Sequence, residues 1–297
     1  MGEAALVSVI IPTYNYGHFI AEAIESVLAQ SYRNFEIIVI DDGSTDSTKD
    51  VVSSFPEVRY LPQANQGIAP ARNAGLLASR GEFLVFLDAD DRLLPDALTL
   101  GIALLKANPE CAFVSGQWEL ISKNGKSLPS PPINCIQSDH YRAFLHSNYV
   151  GTVGQVMFRR SILEAANGFD TSVPGCDDFE LYLRLTRSYP VQCHDKVVLQ
   201  HRRHGSNTSG KRDMMLQSAL RIYQAQAPHV QGRPELESLQ QQRSELCQRG
   251  LDKELKKNRQ ARIKANWLVK GIIQIRDRVR AELLFRRHTS RRRKAAK

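Results

Sequence analysis

The chain of 297 residues has no apolar run near the ~18 residues that a membrane span needs. Its first residues lack the basic start and long apolar segment of a secretory signal, so the working expectation is a cytoplasmic protein. Cysteine is sparse. The five, Cys111, Cys135, Cys176, Cys193 and Cys247, are odd in number and widely spaced, without a CxxC pair, which argues against a disulfide framework and a zinc site. They are expected to be reduced. A Gly-rich phosphate loop is also missing after the first apolar run, where Pro12-Thr13-Tyr14-Asn15 stands instead, and this counts against a sugar nucleotidyltransferase.

What is present begins with carboxylates. Phe83 to Leu87 is an apolar strand that empties into Asp88-Ala89-Asp90-Asp91. Carboxylates so close repel one another and call for a cation, and hard oxygen donors suit Mg2+ or Mn2+. A turn capping the helix that begins near Pro95 is the competing reading. Other apolar runs, Val7 to Ile11 and Phe35 to Ile40, also end in polar clusters, Pro12 to Asn15 and Asp41-Asp42. Between the first two, Phe19, Ile20, Ala23, Ile24, Val27 and Leu28 form the apolar stripe of a helix. A further strand is expected over Val58 to Leu61, followed by a helix carrying Arg72. Four β/α alternations in 90 residues predict an open, mostly parallel, Rossmann-like sheet flanked by helices, with ligands at the carboxyl ends of its strands.

In order and spacing, Val9-Ile10-Ile11-Pro12-Thr13-Tyr14-Asn15, Val39 to Asp46, Ala71-Arg72-Asn73-Ala74-Gly75 and Asp88-Ala89-Asp90-Asp91 resemble glycosyltransferase family 2. Cys176-Asp177-Asp178-Phe179-Glu180-Leu181 resembles the Glu-Asp motif of that family, with Asp177 in place of Glu, and His201-Arg202-Arg203-His204 resembles its late Arg-x-His segment. The likeness covers roughly residues 6 to 210. It implies a GT-A fold that binds a nucleoside diphosphate sugar, a UDP-sugar first among the candidates, with Mn2+ or Mg2+. It implies inverting transfer of the sugar to a hydroxyl of a glycan or a lipid-linked glycan.

The same resemblance assigns site residues. Pro12, Thr13, Tyr14, Asn15 and Asp42 would meet the nucleoside, with Tyr14 as a stacking face. Arg72, Asp88, Ala89 and His204 would lie about the nucleotide, ribose and diphosphate. Asp90 or Asp91 would ligate the metal, and Asp178 would be the general base, since an acceptor hydroxyl must lose its proton as it attacks. Plainer roles compete: helix capping for Asp42 and the Asp177-Asp178 pair, a solvated pairing with Asp41 or Asp42 for Arg72, an incidental surface loop for His204. Arg202 and Arg203 are further cations for the phosphates, Arg159 and Arg160 have no assigned purpose, and Trp118 is a core or acceptor-pocket residue. The alternative function is a nucleotide-sugar-binding scaffold without turnover.

Charge marks a boundary. The total is +9, yet residues 251–297 hold 17 Lys/Arg against 4 Asp/Glu, a net +13, which leaves −4 on the first 250. The expected domains are a catalytic domain over residues 1–215 and a helical, basic extension over 216–297. Trp267 to Phe285 alternates apolar and basic residues, the pattern of a helix lying on an anionic membrane, which would hold the protein at the inner face of the plasma membrane. Packing on the catalytic domain is the alternative, and the helices after 215 are also candidates for a homodimer contact. No nucleic acid is expected, because no recognised module accompanies the charge.

Overall fold

A computed structural model describes residues 4–130, 132, 135–205 and 211–260. It divides into two compact units, Met1–Cys247 and Gln248–Lys297. The first contains strands β1 (Val7–Thr13), β2 (Phe35–Asp41), β3 (Val58–Pro62), β4 (Phe83–Phe86), β5 (Arg92–Leu93), β6 (Phe113–Ser122), β7 (Val156–Arg159) and β8 (Gln192–Arg203). They form one sheet in the order β3-β2-β1-β4-β7-β6-β8-β5. The half made of β3, β2, β1 and β4 is parallel throughout, whereas β7 runs antiparallel to β4 and β6.

Helices cover both faces. In β1 the side chains alternate: Val7, Val9 and Ile11 join one core, and Ile10 joins the other. The first core is closed by α1 (Ile20–Leu28), through Ile20, Ala23, Ile24 and Val27, and by α4 (Ala97–Ala107), through Leu98, Ile102 and Leu105. This is the stripe that the sequence displays. On the other face lie α3 (Ile68–Ala78), α5 (His140–His146) and α7 (Asp177–Thr186). A Cβ added at Gly75 would stand 2.2 Å from Ile10 Cγ2, so glycine lets α3 press directly onto β1. Short helices α2 (Thr48–Val52) and α6 (Arg160–Ala165) fill connections.

Two arginines without an assigned purpose turn out to close helices. Arg159 donates to the carbonyls of Leu105, Asn108 and Cys111 at the end of α4. Arg160 reaches the Leu76 and Gly81 carbonyls and the Ser79 hydroxyl at the end of α3. Each guanidinium satisfies carbonyls that a helix end leaves unpaired.

After β8 come α8 (Arg212–Ala225) and α9 (Ala227–Val230), and residues 234–247 are helical. Ile222, Tyr223, Val230 and Leu236 belong to the same core as α5 and α7, so the first unit continues to Cys247. In the second unit residues 248–260 are helical; the membrane-helix expectation for Trp267 to Phe285 lies outside the described residues. Among the described residues no helix is long and apolar enough to cross a membrane.

The expectation of five reduced cysteines is corrected at one pair. Cys135 and Cys193 are disulfide-bonded, with Cα atoms 5.6 Å apart. They are 58 residues apart, and only the fold brings β8 beside the segment around Cys135. Cys111, Cys176 and Cys247 are free. Mass mapping of non-reduced peptides is expected to recover the 135–193 link alone, and a bond across a loop this long typically adds about 2–4 kcal/mol. Five free thiols in protein never exposed to reductant would overturn that pairing.

Candidate active site

The polar clusters converge because β1, β2 and β4 are parallel and adjacent, so their carboxyl ends share one edge. At the end of β1, Thr13 is buried, with a hydroxyl that has no hydrogen-bond partner among the described residues, while the Tyr14 ring is 47% exposed. The strand continues through the buried Pro12 to Thr13, beyond the expected stop at Ile11. Asn15 has a left-handed backbone with φ of 58°. Its N–H donates to Ser44 Oγ at 2.8 Å, and its side-chain oxygen accepts from Thr45 N at 2.8 Å. These bonds tie the β1 and β2 loops together.

Asp41 serves the turn, accepting from Ser44 N and from the Tyr60 hydroxyl. Asp42 is 4% exposed and accepts three bonds, from Gln63 Nε2, Gln66 N and Gly67 N at 2.7 to 2.9 Å. It thus fixes the loop that opens α3, one helix later than the capping alternative supposed. Gly67 adopts φ of 98°, a conformation that favours glycine, and so its N–H can face Asp42.

Arg72 is buried and bridges two elements. Its guanidinium bonds Asp88 Oδ1 at 2.9 Å and Asp177 Oδ2 at 2.6 Å, drawing the end of β4 to the first turn of α7. The supposed partners Asp41 and Asp42 are engaged elsewhere. Burial opposes its charge, but Asp177 and Asp88 outweigh that and raise its pKa. Asp177 is 2% exposed and is spent on this bridge. Asp178, half-buried beside it, accepts from Phe179 N at 2.7 Å. Burial first, and the charge of Asp177 second, push its pKa up to about 6 against the pull of Arg72.

Asp90 and Asp91 part company. Asp91 is fully buried and both its oxygens face β8, accepting from Arg202 N at 2.9 Å and meeting His201 Nδ1 at 3.0 to 3.1 Å. Burial opposes the charge on His201, yet the bond to Asp91 lifts its pKa. Asp90 meets His204 Nε2 at 2.7 Å. Burial, and after it the charges of Asp91 and Asp88, raise the Asp90 pKa to about 6. Of the two expected ligands, geometry favours Asp90, and Asp91 anchors the strand. Ala89, between Asp88 and Asp90, is buried in the core and can offer a ligand only its backbone.

The incidental-loop reading of His204 does not hold. Its side chain is 4% exposed and packs on Phe19 and Tyr16, with ring centroids 5.1 and 5.8 Å apart. Arg202 also departs from expectation, being 1% exposed. Its guanidinium donates to the Asp90 and Lys123 carbonyls and to Glu22, and lies 4.8 Å from the Phe19 ring centroid. It braces the acidic loop from behind. Trp118 packs edge-on to His201 and over Gly151. Glu22 was missed in the sequence, since it sits on α1 and not at a strand end, and His201, expected among the late cations, is instead engaged by Asp91.

Among the described residues no three His, Cys, Asp or Glu side chains are already grouped around a metal position. The donor chemistry nevertheless fits Mn2+ or Mg2+: two neighbouring carboxylates, Asp88 and Asp90, with an imidazole nitrogen of His204 bonded to one of them.

The sequence profile of glycosyl transferase family 2 matches residues 8–166, more than half of the chain. The chain belongs to glycosyl transferase family 2. Among relatives, a UDP-Glc:alpha-D-GlcNAc-diphosphoundecaprenol beta-1,3-glucosyltransferase of Escherichia coli is 39% identical over 188 residues, 61% of this chain and 70% of that protein. A chondroitin synthase of Escherichia coli is 30% identical over 70% of this chain but only 30% of its own length. The chain spans about a third of several such relatives. In fold it is similar to Staphylococcus aureus TarS bound to UDP-GlcNAc, with a TM-score of 0.62 at 20% identity over 80% of this chain and 70% of that one. It is also similar to a Pyrobaculum calidifontis mannosyltransferase bound to GDP-Man and Mn2+, at 0.60 and 22% over 83% and 72%. The GT-A fold is thereby established.

Proposed function

We propose that this family 2 member transfers a sugar, with inversion, from a nucleoside diphosphate sugar to a hydroxyl of a glycan or lipid-linked glycan. The observation that carries this reading is the Arg72 bridge, which brings Asp88 and the Asp177-Asp178 pair together at the ligand-bearing edge of the sheet. Tyr14 offers the exposed ring on which a base would stack. The relatives' donors, UDP-Glc and UDP-GlcNAc, put a UDP-sugar first.

Asp178 is the proposed base. With a pKa near 6 it is mostly ionised at neutral pH, yet basic enough to take a hydroxyl proton as the bond to the sugar forms. Arg72 holds Asp177 beside it and keeps the pair from carrying two uncompensated charges. Asp88, Asp90 and His204 would hold Mn2+ or Mg2+, which when bound neutralises charge that grows on the leaving diphosphate.

Thermal unfolding with UDP, GDP, dTDP and CDP, each with and without Mn2+, tests donor class and site together. A nucleotide at ~100 times its Kd stabilises by about 2.7 kcal/mol, which should raise the midpoint by roughly 5–10 °C. The expected result is a metal-dependent shift with UDP that weakens in Asp90→Asn. No shift with any nucleotide would sink the donor assignment.

A further inference from the structure

A second cleft, of about 300 Å3, lies at the far end of α7 from Asp178 and is lined by residues of α5, the segment after α7, and Arg233. The ten residues of α7 put roughly 15 Å between its two ends, so this cleft is separate from the strand-end site.

Two guanidiniums line it, those of Arg187 and Arg233. Neither has a carboxylate within ion-pair distance or a side-chain hydrogen bond among the described residues. One carboxylate, Asp139, also lines the cleft, and the acidic side chains nearby each have a partner elsewhere. Asp139 accepts from Arg142 N as the cap of α5, Glu235 lies 3.8 Å from Arg142, and Glu180 is held by Arg184. Arg233 lies over the Tyr141 ring, 6.0 Å from its centroid, and the Tyr141 hydroxyl is turned away to Gln226. His140 faces Tyr149 through Nδ1. Unlike an ordinary surface arginine, Arg187 is half-buried, and burial lowers its pKa against the opposing pull of Tyr141 and Glu180, with Arg184 adding to the lowering.

An arginine half out of water and without an anion is costly, and half-buried Arg187 together with exposed Arg233 in one concavity matches the fork geometry that binds carboxylate or phosphate with paired hydrogen bonds. Tyr189 adds a ring 36% exposed at the same cleft, and Ser188 adds a hydroxyl. The volume is at the lower end of the range of small-molecule sites, about 300–1,000 Å3. We propose that this cleft is an oxyanion site that takes a saccharide bearing a phosphate or a carboxylate, with Arg187 and Arg233 on the anion and Tyr189 against the sugar ring.

Side-chain Nε–Hε NMR of the full chain, kept saturated with UDP and Mn2+ so that the strand-end site is filled, tests this. Arg187→Gln and Arg233→Gln each remove one signal and so assign the pair. Titration with glucose 6-phosphate or glucuronate should move both signals saturably, and whichever binds more tightly names the anion. Glucose, and sodium chloride at equal ionic strength, should not move them. The double variant, checked for an unchanged melting temperature, should bind at least tenfold more weakly, and Arg187→Lys with Arg233→Lys should fall between. Equal affinity in the double variant, or an equal response to chloride, would overturn the site. Inorganic phosphate binding as tightly as glucose 6-phosphate would overturn its saccharide part. If the glutamine variants do not fold, the wild-type signals against the chloride control still decide.

Discussion

Asp178→Asn is expected to lower turnover by about 10² to 10⁴, the usual contribution of a positioned general base, while nucleotide affinity stays within a factor of a few. Asparagine keeps the size of the side chain and its acceptor oxygen toward Phe179 N, so the change removes proton acceptance and little else. The pH profile supplies a second, independent reading. Because the free group titrates at about 6, kcat/KM should fall about tenfold per pH unit below that value in the wild type, and this limb should vanish in the variant. Stability moves the other way. The folded pKa lies above the ordinary value of about 3.9, so protonation favours the fold; the benefit is complete below ~3.9 and is lost as pH rises through about 6. At neutral pH the variant should therefore melt no lower than the wild type. A variant that keeps more than half of wild-type turnover would remove Asp178 from the base role, and an acid limb unchanged in the variant would assign that limb to another group.

The parts of this fold legible in the sequence are those written in contiguous residues. Val7 to Ile11, Phe35 to Ile40 and Phe83 to Leu87 are largely apolar and mostly buried, and each leads into a polar cluster, so the strands and the clusters that follow them are readable from local pattern. Asp90 and Asp91 could not be told apart, because what separates them is β8, whose backbone N–H at Arg202 lies 111 residues away from Asp91. Arg202 reads as a phosphate cation in sequence and as a brace in the fold for the same reason, its partners Glu22 and Lys123 being far removed along the chain. The helix-closing roles of Arg159 and Arg160 and the pairing of Cys135 with Cys193 likewise depend on antiparallel β7 and on β8, elements whose register no local pattern encodes.

The Asp177 substitution is where the largest stability effect is expected. Arg72 and Asp177 are 105 residues apart, both nearly excluded from solvent, and joined at 2.6 Å. Replacing Asp177 by alanine leaves a buried guanidinium with only the partly exposed Asp88 to balance it, and breaking a buried pair from one side costs about 3–5 kcal/mol. For a unit of this size that is roughly a 6–20 °C drop in melting temperature. Asp88→Asn should cost clearly less, since the Asp88 side chain is 30% exposed and solvent can take its place. The decisive comparison is the double variant. Arg72→Met removes the stranded charge, so Asp177→Ala combined with Arg72→Met should be less destabilised than the sum of the single changes by 1 kcal/mol or more, on the scale of about 0.5–3 kcal/mol found for coupled neighbours. Strict additivity would mean that the bridge does not hold β4 to α7, and the placement of Asp178 would then need another cause. Coupling in stability, joined to a loss of turnover in Arg72→Met with nucleotide binding retained, would show that one buried cation both fastens the fold and sets the base.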